Sequence, residues 1–156
     1  MISIEIINDT PEDEVRELRE LLDARSIYDD IYELQDRVDA LDYDSGWIDL
    51  PLATGIEAYS SNSKPQYRKV GKVVFLRGVV KGITATGTVI GTLPPGFRPS
   101  MATPFVQNTS VRTGNFAMYT RMIVSTNGDV RLEFVSDGAI LEPDRWFPIG
   151  MDFVVD

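Results

Sequence analysis

The chain has 156 residues, of which 43% are hydrophobic and 25% are charged, and its formal net charge is −9. This length suits one domain with a short extension, and the composition is that of a globular protein. Cys and His are both absent, which excludes disulfides, thiol nucleophiles, Cys/His zinc sites and histidine-based catalysis. The negative charge argues against a nucleic-acid partner.

The charge is distributed unevenly along the chain. Residues 1–46 hold 15 acidic and 4 basic residues, a net of −11, whereas residues 47–156 hold 9 acidic and 11 basic residues, a net of +2. All but one Gly and all but one Pro also lie in the second part. We therefore predict two parts: an acidic N-terminal arm with a helical oligomerisation or docking segment (1–46), and a β-sandwich head (47–156). We expect no signal peptide and no membrane insertion.

Helical signals dominate the acidic part. Alternating isoleucines in residues 2–6 predict a short extended arm, and Thr10 before Pro11 predicts the start of a helix. The apolar spacing is interrupted near Arg25, where Ser26 is a suitable cap for a second helix. The sequence therefore predicts two consecutive helices.

The second of these helices carries an apolar seam with alternating spacings of 4 and 3, as in a coiled coil. The seam residues are Ile27, Ile31, Leu34, Val38 and Leu41. Arg37 and Asp42 fall at flanking g and e positions, where they can pair between chains. We expect a homo-oligomer, although the seam residues do not separate two strands from three. The alternative is an amphipathic helix that lies on the β domain of its own chain.

Turn residues separate short apolar runs after residue 46, and nine strands are predicted. They span 47–50, 56–59, 66–70, 72–80, 88–92, 105–108, 115–125, 129–135 and 146–155. Asn127 and Gly128 predict a type I′ hairpin turn, which needs positive φ at both residues. The fold class is mainly β, an antiparallel sandwich or jelly roll preceded by the helical segment.

Three stretches of the second part resemble a known group of proteins. They are Tyr67-Arg-Lys with Leu76-Arg-Gly, then Leu93-Pro-Pro-Gly-Phe-Arg-Pro, and the ending Trp146-Phe-Pro-Ile-Gly. Together with the run from Trp47, they are similar to the C-terminal β domains of tail fibre, baseplate and receptor-binding proteins from phages of Gram-positive bacteria. The resemblance implies a virion protein, commonly a trimer, whose β heads bind host-envelope saccharides. It covers about residues 47–156.

Saccharide recognition requires aromatic faces beside planar polar groups, and two stretches supply both. The candidates of the first stretch are Asn108, Arg112, Asn115, Tyr119 and Arg121, and those of the second are Tyr59 and Asn62. We expect Trp47 and Trp146 to be buried anchors. Two carboxylate pairs, Asp129 with Glu133 and Glu142 with Asp144, are available for glycosidase chemistry but are read as solvated charges.

The sequence thus predicts a non-enzymatic tail or baseplate protein of the virion, made in the bacterial host cytoplasm. We expect it to be a homotrimer that recognises a cell-wall saccharide during adsorption and contacts other virion proteins, with no cofactor and no metal. Two alternatives remain at this point. One is a structural virion protein without receptor activity, and the other is a saccharide-degrading enzyme.

Overall fold

The structure, a computed structural model, describes residues 11–113, 116–136 and 140–156. The chain forms two compact units that divide between Leu41 and Asp42. The first unit contains a helix, up to Leu41, and the second contains the β strands of the head.

Helix α1 is one uninterrupted helix, Pro11–Asp42, of 32 residues. Its length is about 48 Å at a rise of 1.5 Å per residue. The predicted break near Arg25 is therefore wrong. Residues 12–42 contain neither Gly nor Pro, and one Ser inside a helix lowers its stability by only about 0.5 kcal/mol, so Ser26 does not end it. The predicted arm and Thr10 lie outside the described residues.

Every large hydrophobic side chain of α1 is exposed, with fractional exposures from 49% at Ile31 to 71% at Leu41. All five residues of the predicted seam belong to this group. No helix in the described part of the chain combines the length and the apolar character needed to span a membrane.

The head consists of antiparallel strands in three sheets. The strands are β1 (Ile48–Asp49), β2 (Glu57–Ala58), β3 (Gln66–Val70), β4 (Val73–Arg77), β5 (Val79–Lys81), β6 (Val89–Thr92), β7 (Thr103–Thr113), β8 (Phe116–Val124), β9 (Asp129–Val135), β10 (Phe147–Pro148) and β11 (Met151–Val154). The strand orders are β1-β3-β4-β11, β10-β5-β2 and β6-β9-β8-β7. The predicted mainly-β, antiparallel class with an N-terminal helix is confirmed.

Buried side chains from all three sheets form one core cluster. In β9, buried Val130 and Leu132 alternate with partly exposed Arg131 and Glu133, which is the period expected of a strand with one face on the core. Phe147 of β10 is among the largest side chains that are fully buried.

Two predicted long strands are each divided between sheets. The stretch 72–80 separates at Gly78 into β4 and β5, and the stretch 146–155 separates at Ile149 into β10 and β11. The Ile149 N–H donates to the Gly78 carbonyl (3.0 Å), so the two breaks meet. Gly78 has φ +116°, and a Cβ there would collide with the Lys64 and Pro65 backbone. A residue with a side chain could not form this bend.

The hairpin between β8 and β9 lies where it was predicted, but its turn type differs. The Ser125 N–H donates to the Asp129 carbonyl (3.0 Å) and the Gly128 N–H to the Ser125 carbonyl (2.8 Å), so the loop has three residues. Gly128 has φ +93°, whereas Asn127 has no positive φ. The type I′ prediction is wrong, because the third loop residue, Gly128, alone supplies the left-handed conformation that a three-residue hairpin needs.

Candidate functional site

A groove opens on the head where strands β2 and β5 meet the chain before β10. Its lining residues are Gly55, Glu57, Tyr59, Lys81, Gly82, Pro143 and Asp144, and its volume is about 680 Å³. The Gly82 N–H donates to the Pro143 carbonyl (2.9 Å), which holds the chain before β10 beside the end of β5. We call this depression the Tyr59 groove.

Tyr59, which lines this groove, pairs with Trp146. The ring centroids of Tyr59 and Trp146 are 6.4 Å apart with a tilt of 56°, and Tyr59 is 47% exposed. Trp146 is fixed through its backbone, because its N–H donates to Ser110 Oγ (2.8 Å) and its carbonyl accepts from the Ser110 N–H (3.2 Å). The prediction that Trp146 is a buried anchor is wrong: the side chain is only partly buried, since its ring packs on exposed Tyr59.

Charged groups of both signs line the same groove. Glu57 and Lys81 are directly opposite on neighbouring strands, and their Oε2 and Nζ atoms are 3.3 Å apart. The two side chains are 70% and 36% exposed, so water screens the pair and its contribution to folding is small, about 0 to 1 kcal/mol. Asp144 is also exposed. A ligand can therefore engage these groups without disrupting a buried network.

A second depression of about 380 Å³ opens at the other end of β5. It is lined by Ser61, Asn62, Ser63, Lys64, Gln66, Arg77 and Gly78. The loop between the two depressions is ordered by a reciprocal pair, in which the Ser60 N–H donates to Ser63 Oγ (3.1 Å) and the two hydroxyls lie 2.8 Å apart. Tyr59 and Asn62, predicted as one group, thus line two different depressions.

Trp47 is covered by guanidinium groups and is only partly buried, so the prediction of a buried anchor is wrong here too. The Arg77 Cζ lies 3.9 Å from the indole centroid and the Arg68 Cζ lies 5.9 Å from it. Arg77 also donates from Nε (3.1 Å) and Nη2 (2.7 Å) to Gln66 Oε1. An Arg side chain can cover an aromatic face while its charged end stays in water.

The segment after α1 is joined to β3 by a charged pair. Arg68 donates from Nε (2.8 Å) and from Nη2 to the Asp44 carboxylate, which also accepts the Gly46 N–H (2.9 Å). The hydrogen bond from Arg68, and then that from Gly46, lowers the pKa of Asp44 from 3.8 to about 2. The Gly71 N–H also donates to the Tyr43 carbonyl (2.7 Å). This segment is therefore part of the folded head.

Two of the residues predicted on the β7–β8 hairpin lie side by side. Asn108 and Tyr119 are cross-strand partners, and both are exposed. Arg121 is engaged within the sheet, because its Nε lies 2.5 Å from Glu133 Oε2 and its Cζ lies 4.0 Å from the Phe134 ring centroid. The Asn108 amide and the Tyr119 phenol are thus exposed on the hairpin face, whereas the Arg121 guanidinium already contacts Glu133 and Phe134.

Less can be said of Arg112 and Asn115, the other two predicted binding residues of this stretch. The backbone of Arg112 pairs with Ala117 in the β7–β8 register. Asn115 lies outside the described residues. The seven predicted binding residues therefore do not form one site: Tyr59 and Asn62 line separate depressions of the head, and Asn108 and Tyr119 share a hairpin face.

The glutamates of both predicted carboxylate pairs are held by arginines. Glu133 is bound by Arg121, and the Glu142 Oε2 accepts from Arg145 at Nε (2.9 Å), with Nη2 at 2.6 Å. Asp129 Oδ1 accepts the Thr92 hydroxyl (2.9 Å).

Sequence reasoning missed Glu57, Lys81 and Trp146 as parts of a site, and read Asp144 only as a member of a carboxylate pair. Glu57 and Lys81 become neighbours through the β2–β5 pairing alone. Because β2 has two residues and β5 has three, no local pattern in the sequence identified that pairing. Trp146 and Tyr59 are 87 positions apart in the sequence, and no local pattern predicted their contact.

Comparisons with known proteins agree with this architecture. A family model described as the YomR C-terminal beta sandwich domain matches residues 42–141. The solved structure of the receptor binding protein (gp15) of Listeria phage PSA is 14% identical, with a TM-score of 0.56 over 96% of this chain and 82% of that chain. The head domain of lactococcal phage bIL170 is 18% identical, with a TM-score of 0.49 over 70% of this chain and 97% of that chain. No curated protein matches. The predicted β-sandwich fold and the predicted resemblance are confirmed.

Proposed function

The chain belongs to the YomR C-terminal beta sandwich domain family, and from that premise we propose that it is a phage tail or baseplate protein that binds a host cell-surface saccharide. Its fold is that of the receptor binding protein of Listeria phage PSA. The observation that supports the saccharide proposal is the Tyr59 groove, where half-exposed Tyr59, which contacts Trp146, lies beside two carboxylates and an ammonium group.

These groups suit a sugar ring. The face of Tyr59 offers an apolar surface to the C–H groups of a pyranose, the carboxylates of Glu57 and Asp144 accept hydrogen bonds from hydroxyls, and Lys81 donates to ring or hydroxyl oxygens. Binding of this kind needs no proton transfer. We propose recognition without catalysis, because the glutamates of both candidate carboxylate pairs are held by arginines.

The oligomer is the second part of the proposal. The seam of Ile27, Ile31, Leu34, Val38 and Leu41 is exposed along α1, and helices in proteins gain most of their stability by packing such an apolar face. Copies of the same helix would cover the seam, and Arg37 and Asp42 would pair across it. Several weak saccharide sites on one trimer would then bind a repetitive wall polymer with high avidity. This assembly would function in the virion, with other tail or baseplate proteins as neighbours.

The binding site is tested with purified protein and a panel of purified Gram-positive cell walls. Tyr59→Ala and Lys81→Ala should each reduce wall binding at least tenfold, while Tyr119→Ala should leave it unchanged. Tyr119 is a matched control because it is 52% exposed, close to the 47% of Tyr59. If only Tyr119→Ala abolished binding, the hairpin face with Asn108 and Tyr119 would be the receptor site, and the groove would not be.

One observation favours the alternative, a structural virion protein without receptor activity. The outer face of the β7-β8-β9 region exposes Val106 (71%), Tyr119 (52%) and Phe134 (45%), an apolar combination that suits a protein contact. In that case the protein would bind none of the walls and would associate with a purified tail or baseplate protein. Val106→Ser would weaken that association.

A further inference from the structure

Because α1 is continuous, heptad positions can also be assigned to its residues N-terminal to the seam. Ile27, Leu34 and Leu41 occupy d positions of the seam, and Ile31 and Val38 occupy a positions. Because α1 runs without interruption from Pro11 to Asp42, the same repeat extends backwards along it. The preceding a and d positions are then taken by Ala24, Glu20, Glu17 and Asp13. The seam therefore changes from aliphatic to acidic N-terminal to Ala24.

Three of the four exposed aliphatic residues of this half point away from the seam, and the fourth, Leu21, occupies an e position at its edge. Val15 and Leu22 fall at f positions and Leu18 at a b position, which face away from the axis of a parallel bundle. All three are exposed, by 50%, 64% and 59%. At 100° per residue, this N-terminal stripe lies roughly 150° around the helix from the seam. One straight bundle cannot bury both sets of side chains.

We propose that the copies of this chain contact one another only from Ala24 to Leu41, and that the carboxylates of Glu17 and Glu20 hold the N-terminal halves of the helices apart. The inference rests on the proposed homo-oligomer. In a bundle that continued past Ala24, the carboxylates of Glu17 and Glu20 from every copy would converge on a desolvated axis, where like charges repel. The flanking Arg16 lies 3.4 Å from the Asp13 carboxylate of its own helix. The N-terminal stripe accordingly stays outside the bundle.

Distances between copies test this directly, and the absence of native Cys allows a single spin label per chain. Arg19→Cys and Glu33→Cys both place the label at a c position, one in each half of α1. Pulsed electron–electron double resonance on the full chain should give a narrow distance distribution at residue 33. The distribution at residue 19 should be longer and broader.

Two results would overturn the inference, and they differ in what else they affect. Equal, narrow distributions at both positions would show that the bundle runs the whole length of α1, and the oligomer itself would stand. Absence of dipolar coupling at both positions would show a monomer and would overturn the oligomer together with the inference.

A rescue experiment examines the cause. Adding Glu17→Leu and Glu20→Leu to the Arg19→Cys chain should contract its distribution to the one measured at residue 33. The matched control is Glu12→Leu with Asp29→Leu, which removes two negative charges and adds two leucines at the outward c and f positions. If the control contracted the distribution equally, overall charge rather than its placement on the seam would be responsible, and the proposal would be wrong.

Discussion

Ile31→Ser removes an apolar side chain from the centre of the proposed seam without weakening the helix, because Ile and Ser have about the same helix propensity. In the single chain Ile31 is 49% exposed, so about half of its burial energy is still available to an interface. Full burial of such a side chain contributes about 1.5 to 3 kcal/mol. The loss is therefore about 1 kcal/mol per chain and about 3 kcal/mol per trimer.

A change of about 3 kcal/mol alters the dissociation constant of a trimer about 150-fold, since each 1.4 kcal/mol is a factor of ten. The dissociation constant of a trimer has units of concentration squared, so the midpoint concentration for dissociation rises as its square root. The midpoint should therefore rise about tenfold. Sedimentation equilibrium over a range of protein concentrations measures that midpoint. The wild-type chain, whose mass is 17.4 kDa, should approach three times that mass at the high end.

Tyr32→Ser is the matched control, because Tyr32 is adjacent in sequence, 71% exposed and at an outward b position. Its midpoint should equal that of the wild type. Equal shifts for Ile31→Ser and Tyr32→Ser would show that the seam does not define the interface, and a wild-type chain that sediments as a monomer at every concentration would refute the assembly.

Two further predictions concern the head. Gly82→Ala should lower the free energy of unfolding by about 3 kcal/mol, because φ is +93° and the new Cβ would overlap the Gly55 carbonyl oxygen. Gly87→Ala, with φ +81° and open space around it, should cost only about 1 kcal/mol, and equal losses in urea titrations would contradict the overlap. Asp44, whose pKa is lowered from 3.8 to about 2, stabilises the fold above about pH 4, and this contribution disappears as the pH falls through 2. Asp44→Asn should therefore lose less stability than the wild type between pH 4 and pH 2, and parallel pH profiles would show that the charged pair with Arg68 contributes nothing.

The sequence predicted the strands whose residues alternate around the core. The limits of β3 and β9 agree with the predicted limits, and each of these strands belongs to a single sheet. In β9 the apolar residues alternate with polar ones, which is the strongest local signal of a strand. The stretches 72–80 and 146–155 were predicted as single strands because their apolar runs continue through Gly78 and Ile149. The break at Gly78 depends on the close approach of the Lys64 backbone, a contact between distant parts of the chain.

In the helical part, a local change in apolar spacing predicted a helix end that does not exist. The change of apolar phase near Arg25 was read as a break in the helix, whereas the backbone continues and the apolar stripe moves to another face. Apolar spacing reports which side of a helix is covered, and it reports a helix end only when Gly, Pro or a cap is also used there. Ser26 alone did not meet that condition.

The position of the candidate site follows from the same sheet geometry. A binding site was predicted in residues 105–121 because polar and aromatic side chains are frequent in that stretch, yet in the sheet Arg121 is paired with Glu133. The Tyr59 groove lies at the Lys81 end of the separate three-stranded sheet that the short strands β2, β5 and β10 form. Strands of two or three residues end after few ladder hydrogen bonds, and the side chains at their ends remain open to solvent. A groove made in this way is visible only when the pairing of distant strands is known.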